Sequence, residues 1–521
     1  MKLQLRIALL ALTMFAGTAV AQNQKTDNLL QWQKLNFVFR YLTENYVDEV
    51  DAKPLVESAV REMLSGLDPH SAYMDSEQTE DAMTAIEGEF GGIGIEFNIL
   101  RDTVVVVNTI AGGPAEAVGV RADDRIVRID TLSAVGLRSN EVPKYLRGEK
   151  GSSVEIGVLR RGVDAPLNFR ITRDNIPINT VSAAYKATDR TGYIKIDRFG
   201  RTTYKEFAEA FSRLKKDGIG SLILDLRGNG GGLMESAIEV AGFFLPKETT
   251  VVSTEGRAVE SRDYAARNGG VFTKGSVAVL IDESSASGSE IVAGALQDWD
   301  RAVVIGRTSF GKGLVQRQIP FPDGSAIRVT IARYHTPSGR VIQRPYENGR
   351  SDEYYAAHRR RYSAGDDSHA DTTSAPKYKT LILGRTVYGG GGIEPDEIVE
   401  SDTTEVSKYL VEMVMRGVIR EYVMQLLDGR RAEYEARYPD FETFDTLFEF
   451  DSTMRDDLAA LGEEHNVTRD IEGFIQSERI IKMQIKALIA QKLFSTTEFY
   501  RVVNADDERW FGRALELVEG Q

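Results

Sequence analysis

Residues 281–316 read IDESSASGSEIVAGALQDWDRAVVIGRTSFGKGLVQ. The segment opens at the end of an apolar strand near Ile281 and turns through Ser284, Ser285, Ala286, Ser287 and Gly288. A helix follows, with Ile291, Val292, Ala295 and Leu296 on one face, and then a strand at 302–305. The segment closes on a glycine-flanked lysine, Phe310-Gly311-Lys312-Gly313. Ser287 therefore stands where a strand hands over to a helix N-terminus. Backbone N–H groups are unpaired there and the helix dipole favours an anion. Such a position suits a nucleophilic hydroxyl, and Lys312 is the base that the same unit supplies.

The run Ser285-Ala286-Ser287-Gly288-Ser289-Glu290, followed 25 residues after Ser287 by Lys312 and four later by Gln316, resembles the carboxy-terminal processing proteases. These are tail-specific serine peptidases that work with a Ser/Lys dyad. The resemblance implies Ser287 as nucleophile, Lys312 as general base and Gln316 as the residue that orients the lysine. The family usually carries alanine at the position of Gly288. That small-for-small change leaves the backbone donor in place.

Amide hydrolysis needs an activated nucleophile, a proton acceptor and donors for the oxyanion. A lysine accepts a proton only when its ammonium is destabilised, which burial achieves. Phe310, Leu314 and Val315 are the apolar neighbours for that task. Gln316, one helical or extended step onward, fixes the amine without adding charge. A carboxylate there holds the lysine protonated. Oxyanion donors come from Gly288 and from the turn Gly230-Gly231-Gly232, which ends a strand of an open α/β sheet. The resemblance places the second donor in this turn, and Gly231 and Gly232 both remain candidates. Glu290 reads as a helix-start carboxylate and stays outside the site.

Outward from this unit, residues 174–400 read as an α/β core. Its strands fall at 193–196, 221–226, 277–281, 302–305 and 327–331, with helices at 202–216 and 235–244. The near-continuous apolar strand 221–226 is expected of a sheet covered on both faces. The resemblance implies a crotonase-like layered core. Within it, 346–380 is polar, carries Arg359-Arg360-Arg361, and reads as an exposed excursion. Gly389–Gly392 with Ile393-Glu394-Pro395-Asp396 returns to the family pattern.

Residues 88–173 change to short strands: Gly91-Gly92-Ile93-Gly94-Ile95 running into a strand, then 103–107, 123–129 and a closing strand at 154–160. Ala111-Gly112-Gly113-Pro114-Ala115 opens a short helix and 142–146 forms another. This order resembles a PDZ domain. Gly92, Ile93, Gly94 and Ile95 then present backbone N–H groups to a peptide's terminal carboxylate, and the peptide adds as a strand.

Residues 22–87 are helical, with Leu35, Val38, Phe39, Leu42 and Tyr46 at helical spacing and a second helix from Pro54 to Leu64. The turn Gly66-Leu67-Asp68-Pro69-His70-Ser71 follows, and the resemblance includes it. His70 reads as a turn residue, since nothing in sequence points it at Ser287. Residues 1–21 read as a secretory signal: Lys2 and Arg6, an apolar run Ile7–Phe15, and Ala19-Val20-Ala21 for cleavage. The run is too short for a membrane span of about 20 residues, and no cysteine follows to carry a lipid anchor. The expected compartment is the periplasm, free or membrane-associated.

Residues 401–521 form an acidic helical module, with 25 acidic against 15 basic side chains of a total net charge of −14. Val406, Leu410, Met413, Val414, Val418, Tyr422 and Leu426 make one stripe. Ile471, Phe474, Ile475, Ile481, Ile485, Leu488 and Ile489 make another. Packing on the core or on a second copy is the expected role. The acidic balance does not suit nucleic acid.

The chain has no cysteine and only five scattered histidines, so thiol nucleophiles, disulfides and thiolate zinc sites are excluded, and neither a metal nor a cofactor is expected. Ser212-Arg213-Leu214-Lys215 fits Ser-x-x-Lys but lacks its companion motifs. The glycine runs match no nucleotide fingerprint. The expectation is an exported α/β multidomain serine endopeptidase with an inserted PDZ domain. It acts on proteins with accessible C-termini, and the resemblance admits dimers or larger assemblies. The alternative is a non-catalytic periplasmic PDZ scaffold.

Overall fold

The apolar strands of the core assemble into one six-stranded sheet in the computed structural model, which describes residues 27–110, 112–363, 375–400 and 402–520. The signal segment 1–21 lies outside the described residues, as do Ala111 and 364–374 of the polar excursion. The sheet order is β1 (Val181–Lys186), β2 (Thr191–Ile196), β3 (Ser221–Asp225), β4 (Ser276–Ile281), β5 (Val303–Gly306) and β6 (Glu397–Ile398). β1 pairs antiparallel with β2, and every other pairing is parallel.

Residue parity explains why these strands look apolar throughout. Leu222, Leu224, Val277, Val279 and Ile281 face three helices, α1 (Thr203–Lys216), α2 (Met234–Phe244) and α3 (Gly288–Asp298). Ile223, Ala278, Leu280 and Ile305 face the other way, onto Phe511, Ala514 and Val518 from the end of the chain. The C-terminal region thus supplies the second covering layer of the core.

A second sheet stands beside the first. The long strand Ala326–His335 pairs with Leu314–Pro320, with Thr250–Glu255 and with Ala72–Met74, and Arg262–Ala265 extends it. The expected strand 327–331 belongs here and not to the main sheet.

The domain at 88–173 enters and leaves through a two-stranded neck, Glu89–Gly92 against Asp174–Pro177. Its sheet runs Ile95–Leu100, Thr103–Thr109, Arg125–Ile129, Ser153–Leu159 and Leu167–Thr172. The expected closing strand is therefore followed by one more, Leu167–Thr172. Ile95–Leu100 is the edge strand and pairs on one side only.

Ahead of the neck lie a helix at 27–45 and another at Ala52–Ser65. The C-terminal region is a helical array with its own core of Leu410, Met413, Val418, Tyr422, Phe444, Ile481, Ile485 and Ile489 among others. The first expected stripe breaks at Gly417, whose φ of 72° ends one helix before Val418 starts the next. Val414, in the last turn before that break, is exposed, and so is Val406, which lies ahead of the helix Lys408–Met415. In the second stripe Ile471 and Ile475 also face solvent, because the helix Ile471–Gln476 stops before Glu478–Leu493 begins. No helix among the described residues is long and apolar enough to cross a membrane.

Candidate active site

Ser287 sits at the N-terminus of α3 with φ 53° and ψ −107°. A non-glycine residue holds such a conformation only when its surroundings impose it. The neighbours do so by clipping onto the turn after β3. Ala286 N–H donates to Asn229 O at 3.0 Å. Ser289 Oγ donates to the same oxygen at 2.9 Å, and Ser285 Oγ to Leu226 O at 2.8 Å. The serine-rich run is thereby stitched to the glycine turn.

The glycines of that turn differ in role. A Cβ on Gly231, whose φ is +100°, would lie 2.7 Å from Ala286 O and 2.8 Å from Ser287 Cβ. Gly231 is the close-approach position, and its N–H donates to Asn229 Oδ1 at 2.8 Å. Gly231 O and Leu233 N–H bond to Phe199, a pairing that leaves the Gly232 amide between them unused. On the nucleophile's other side, a Cβ on Gly288 would meet the Phe199 ring at 2.9 Å. That contact is a reason for glycine where the family usually has alanine.

Lys312 arrives on the loop between β5 and Leu314–Pro320. Its Nζ donates to Gln316 Oε1 at 3.0 Å, and Gln316 Nε2 donates to His70 O at 2.6 Å. A register shift between Val315 and Gln316 turns the glutamine toward the amine. Burial pushes the Lys312 pKa below its ordinary value, and Arg328 pushes the same way, against Glu290 and Asp68. The recorded bond of the Lys312 amine goes to Gln316, with none to Ser287 Oγ.

The two loops are held together by Glu290, which is wholly buried. Its carboxylate accepts the N–H groups of Ser287 (2.8 Å), Gly311 (2.7 Å) and Lys312 (2.9 Å) and the hydroxyl of Ser309 (2.5 Å). Burial raises its pKa, and these four donors oppose the rise. From the other side the Tyr334 hydroxyl lies 2.8 Å from Lys312 O and 3.2 Å from Ser287 O.

Glu290 reads in sequence as a helix-start carboxylate outside the site, although Ser287-x-x-Glu290 has the spacing of a capping box, in which the carboxylate three residues on returns to the N–H of the capping residue. Tyr334 carries no local signal. His70, read as a remote turn residue, reaches the site through its carbonyl. Asp68 fixes that turn by accepting from His70 N–H (2.9 Å), Ser71 N–H (3.0 Å) and Thr330 Oγ1 (3.0 Å).

The polar excursion departs most from expectation. Its first part is a helix, Ser351–Ser363, that lays Tyr354 and Tyr355 against Phe310 and His70. Arg344 stacks between Phe310 and Tyr354. This aromatic wall, with buried Leu314, keeps the lysine loop dry. Arg359 and Arg360 lie on the exposed side of the helix.

In the domain beyond the neck, Gly92 ends the neck strand and Ile93 is buried in the domain core. Ile93 O and Gly94 O accept the N–H groups of Ala115 and Ile110 at 2.8 and 2.9 Å. Ile95 opens the edge strand. Among the described residues no group of acidic, histidine or cysteine side chains is placed to hold a metal ion.

Comparison with known proteins locates these parts in families. Residues 190–347 match peptidase family S41 and residues 91–171 match a PDZ domain. Residues 12–78 match the N-terminal domain of the activating protease CtpB, and 409–495 match a family of unknown function. A carboxy-terminal-processing protease of Bartonella bacilliformis is 38% identical over 330 residues, covering 62% of this chain and 75% of that one. The carboxy-terminal processing protease CtpA of Bacillus subtilis is 35% identical over 338 residues, covering 64% and 72%. Among solved structures, a photosystem II D1 C-terminal processing protease aligns with 31% identity and a TM-score of 0.35 over 60% of this chain and 84% of that one.

Proposed function

The chain belongs to the carboxy-terminal processing proteases, PDZ-bearing serine-type endopeptidases, and from that premise we propose that Ser287 is its nucleophile and Lys312 its general base. The carrying observation is the shared carboxylate: Glu290 binds the backbone N–H of both residues, so their two loops are built as one unit. The neutral Lys312 amine takes the Ser287 Oγ proton as Oγ attacks the peptide carbonyl. The oxyanion is received by the N–H groups of Gly288 and Gly232; of the two turn candidates, the Gly231 N–H is already given to Asn229 Oδ1. Gly231, the other candidate, supplies the close approach. The lysine ammonium then protonates the departing amine, and its return to the neutral state activates the water that releases the acyl group. Gln316 holds the amine without charge.

The tail of the substrate is read by the PDZ domain, with its carboxylate at Gly92–Ile95 and its backbone along the open edge of Ile95–Leu100. Residues 1–21 direct export, and the expected compartment is periplasmic. The neck at 89–92 and 174–177 supports 88–173 as an inserted domain between 22–87 and the core 174–400. The mostly parallel sheet, with three helices on one face and the chain's last helix on the other, is the support for a crotonase-like layering. Residues 401–521 form the remaining module, and self-assembly of the chain belongs to the same proposal.

The test is cleavage of an unstructured protein with an apolar C-terminus by wild type, Ser287→Ala and Lys312→Ala. Wild type cuts, and each variant loses at least about 10³-fold in rate. Tail binding without cleavage by wild type would instead indicate a scaffold.

A further inference from the structure

The strand Thr103–Thr109 carries four valines in a row. Val104 and Val106 point into the PDZ core and are fully buried. Val105 and Val107 point the other way and are 6% and 7% exposed, so this strand is dry on both faces. Its outer face is covered by the C-terminal module. Met424 and Leu427 from the helix Val418–Leu427 close on Leu100, Val105 and Val107, leaving about 30 Å³. That is room for a water or two and for no ligand.

Ion pairs rim the seam. Arg125 meets Asp428 at 2.7 Å and Arg431 meets Asp123 at 3.4 Å. Arg431 also donates to Lys492 O at 2.7 Å, inside the module. Asn98 Nδ2 lies 2.8 Å from Met424 Sδ. The groove side of the edge strand, with Ile95, Phe97 and Ile99, faces away from this seam.

The other end of the module grips the protease. Helix Val418–Leu427 packs on Glu478–Leu493, which packs on Thr496–Ala505. Beyond that helix Asp507 pairs with Arg227 at 2.9 Å, and Asn504 accepts from Arg227 at 3.3 Å. Arg227 opens the turn whose Asn229 holds Gly231 and Ala286. One apolar core, which includes Leu427, Ile485 and Val502, joins the two ends.

We propose that the C-terminal module is a clamp that fixes the pose of the PDZ domain on the protease, and so sets the number of substrate residues between a captured C-terminal carboxylate and the bond cut at Ser287. The inference rests on the endopeptidase reading above. A PDZ domain gripped from its back keeps its groove open and cannot swing. A chain held at its end then reaches Ser287 at a constant residue count.

The experiment uses the full chain and an unfolded polypeptide with a free apolar C-terminus. Cut positions are read by mass spectrometry, and hydrogen exchange is followed over 103–109 and 418–427. Wild type cuts at one or two positions that keep their distance from the C-terminus when the substrate is lengthened upstream. Met424→Asp places a charge in the seam. Exchange in both segments then rises at least tenfold and the cuts spread over many positions, while affinity for a tail peptide stays within threefold. If Met424→Asp instead loses tail binding, the Arg125→Asp and Asp428→Arg singles and their charge-swapped double decide, the double recovering the wild-type cut pattern. Unchanged exchange in every variant overturns the clamp. Faster exchange with unchanged cut positions overturns the spacing role. A wild type that cuts nothing overturns the endopeptidase reading, with the exchange data still deciding the clamp.

Discussion

Glu290 accepts the backbone N–H of Lys312 at 2.9 Å, 22 residues along the chain, while its other contacts fix Ser287 and Ser309. The carboxylate thus serves as a common acceptor for the two loops, which the Tyr334 hydroxyl and the Phe310 N–H to Ser285 O also tie together. Glu290→Gln keeps the volume but turns an N–H donor toward at least one of the N–H groups. Each buried donor left unpaired costs about 1–3 kcal/mol. A loss of about 3–5 kcal/mol in unfolding free energy is expected, together with a fall in kcat of about 10²-fold or more as the dyad geometry drifts. KM should move far less. Urea unfolding and steady-state kinetics check both, and a variant within twofold of wild type in kcat shows that the bridge is idle.

The Lys312 amine sets the pH profile. Its pKa is lowered by burial, so the neutral, proton-accepting form appears at a lower pH than for a free lysine, and kcat/KM rises with pH through that value. Gln316→Glu places a carboxylate where Gln316 Oε1 now accepts from the amine. An opposite charge at that range raises the amine pKa by about 1–3 units. The acid limb of kcat/KM should therefore move to higher pH, and activity at neutral pH should fall. A limb that stays in place, or moves to lower pH, excludes Lys312 as the base.

Much of the core was legible because apolar strands buried on both faces need no alternation, and 221–226 and 277–281 show none. The site was legible where short motifs carry it, at Ser287 and Lys312. What escaped depends on contacts across long stretches of chain. Gln316 could be helical or extended from local pattern, and only pairing with 326–335 makes it a strand residue. Tyr334 and His70 reach the dyad from 22 and 242 residues away, through bonds that leave no spacing signature. The strand Leu167–Thr172 alternates apolar Leu167, Phe169 and Ile171 with polar residues and lies within the expected 88–173, but past the strand 154–160 expected to close the domain. Ile471 and Ile475 satisfied a helical stripe, yet the chain turns at Ser477, so that face meets water.

The glycine turn offers a paired test. A side chain at Gly231 meets Ala286 O at 2.7 Å and Ser287 Cβ at 2.8 Å, at a φ of +100° that L-residues avoid. Nothing lies within 4 Å of a Cβ on Gly230. Gly231→Ala should displace the nucleophile and cut kcat by about 10²-fold. Gly230→Ala should stay within about threefold, since a free Cβ at an unstrained surface position changes little. Equal kinetics for the two variants removes Gly231 from the account of the nucleophile's position.

His70 separates a structural imidazole from a catalytic one. Burial lowers its pKa from 6.5 to about 4, with Lys312 and Arg344 adding to the effect and Asp68 opposing it. The ring is walled by Phe310, Tyr354 and Tyr355. Between pH 6.5 and 4 the unfolded chain takes up a proton at this position and the folded chain does not. Stability therefore rises with pH across that window and is lost as pH falls through it. At about 1.4 kcal/mol per unit the effect is on the order of 3 kcal/mol. His70→Asn keeps the backbone carbonyl that receives Gln316 Nε2, so the lysine's support survives. Proteolysis should remain within about tenfold of wild type, while the slope of unfolding free energy between pH 4 and 6.5 flattens. Urea titrations at a series of pH values measure that slope. A variant that keeps the slope but loses cleavage would make the imidazole part of the chemistry and not of its frame.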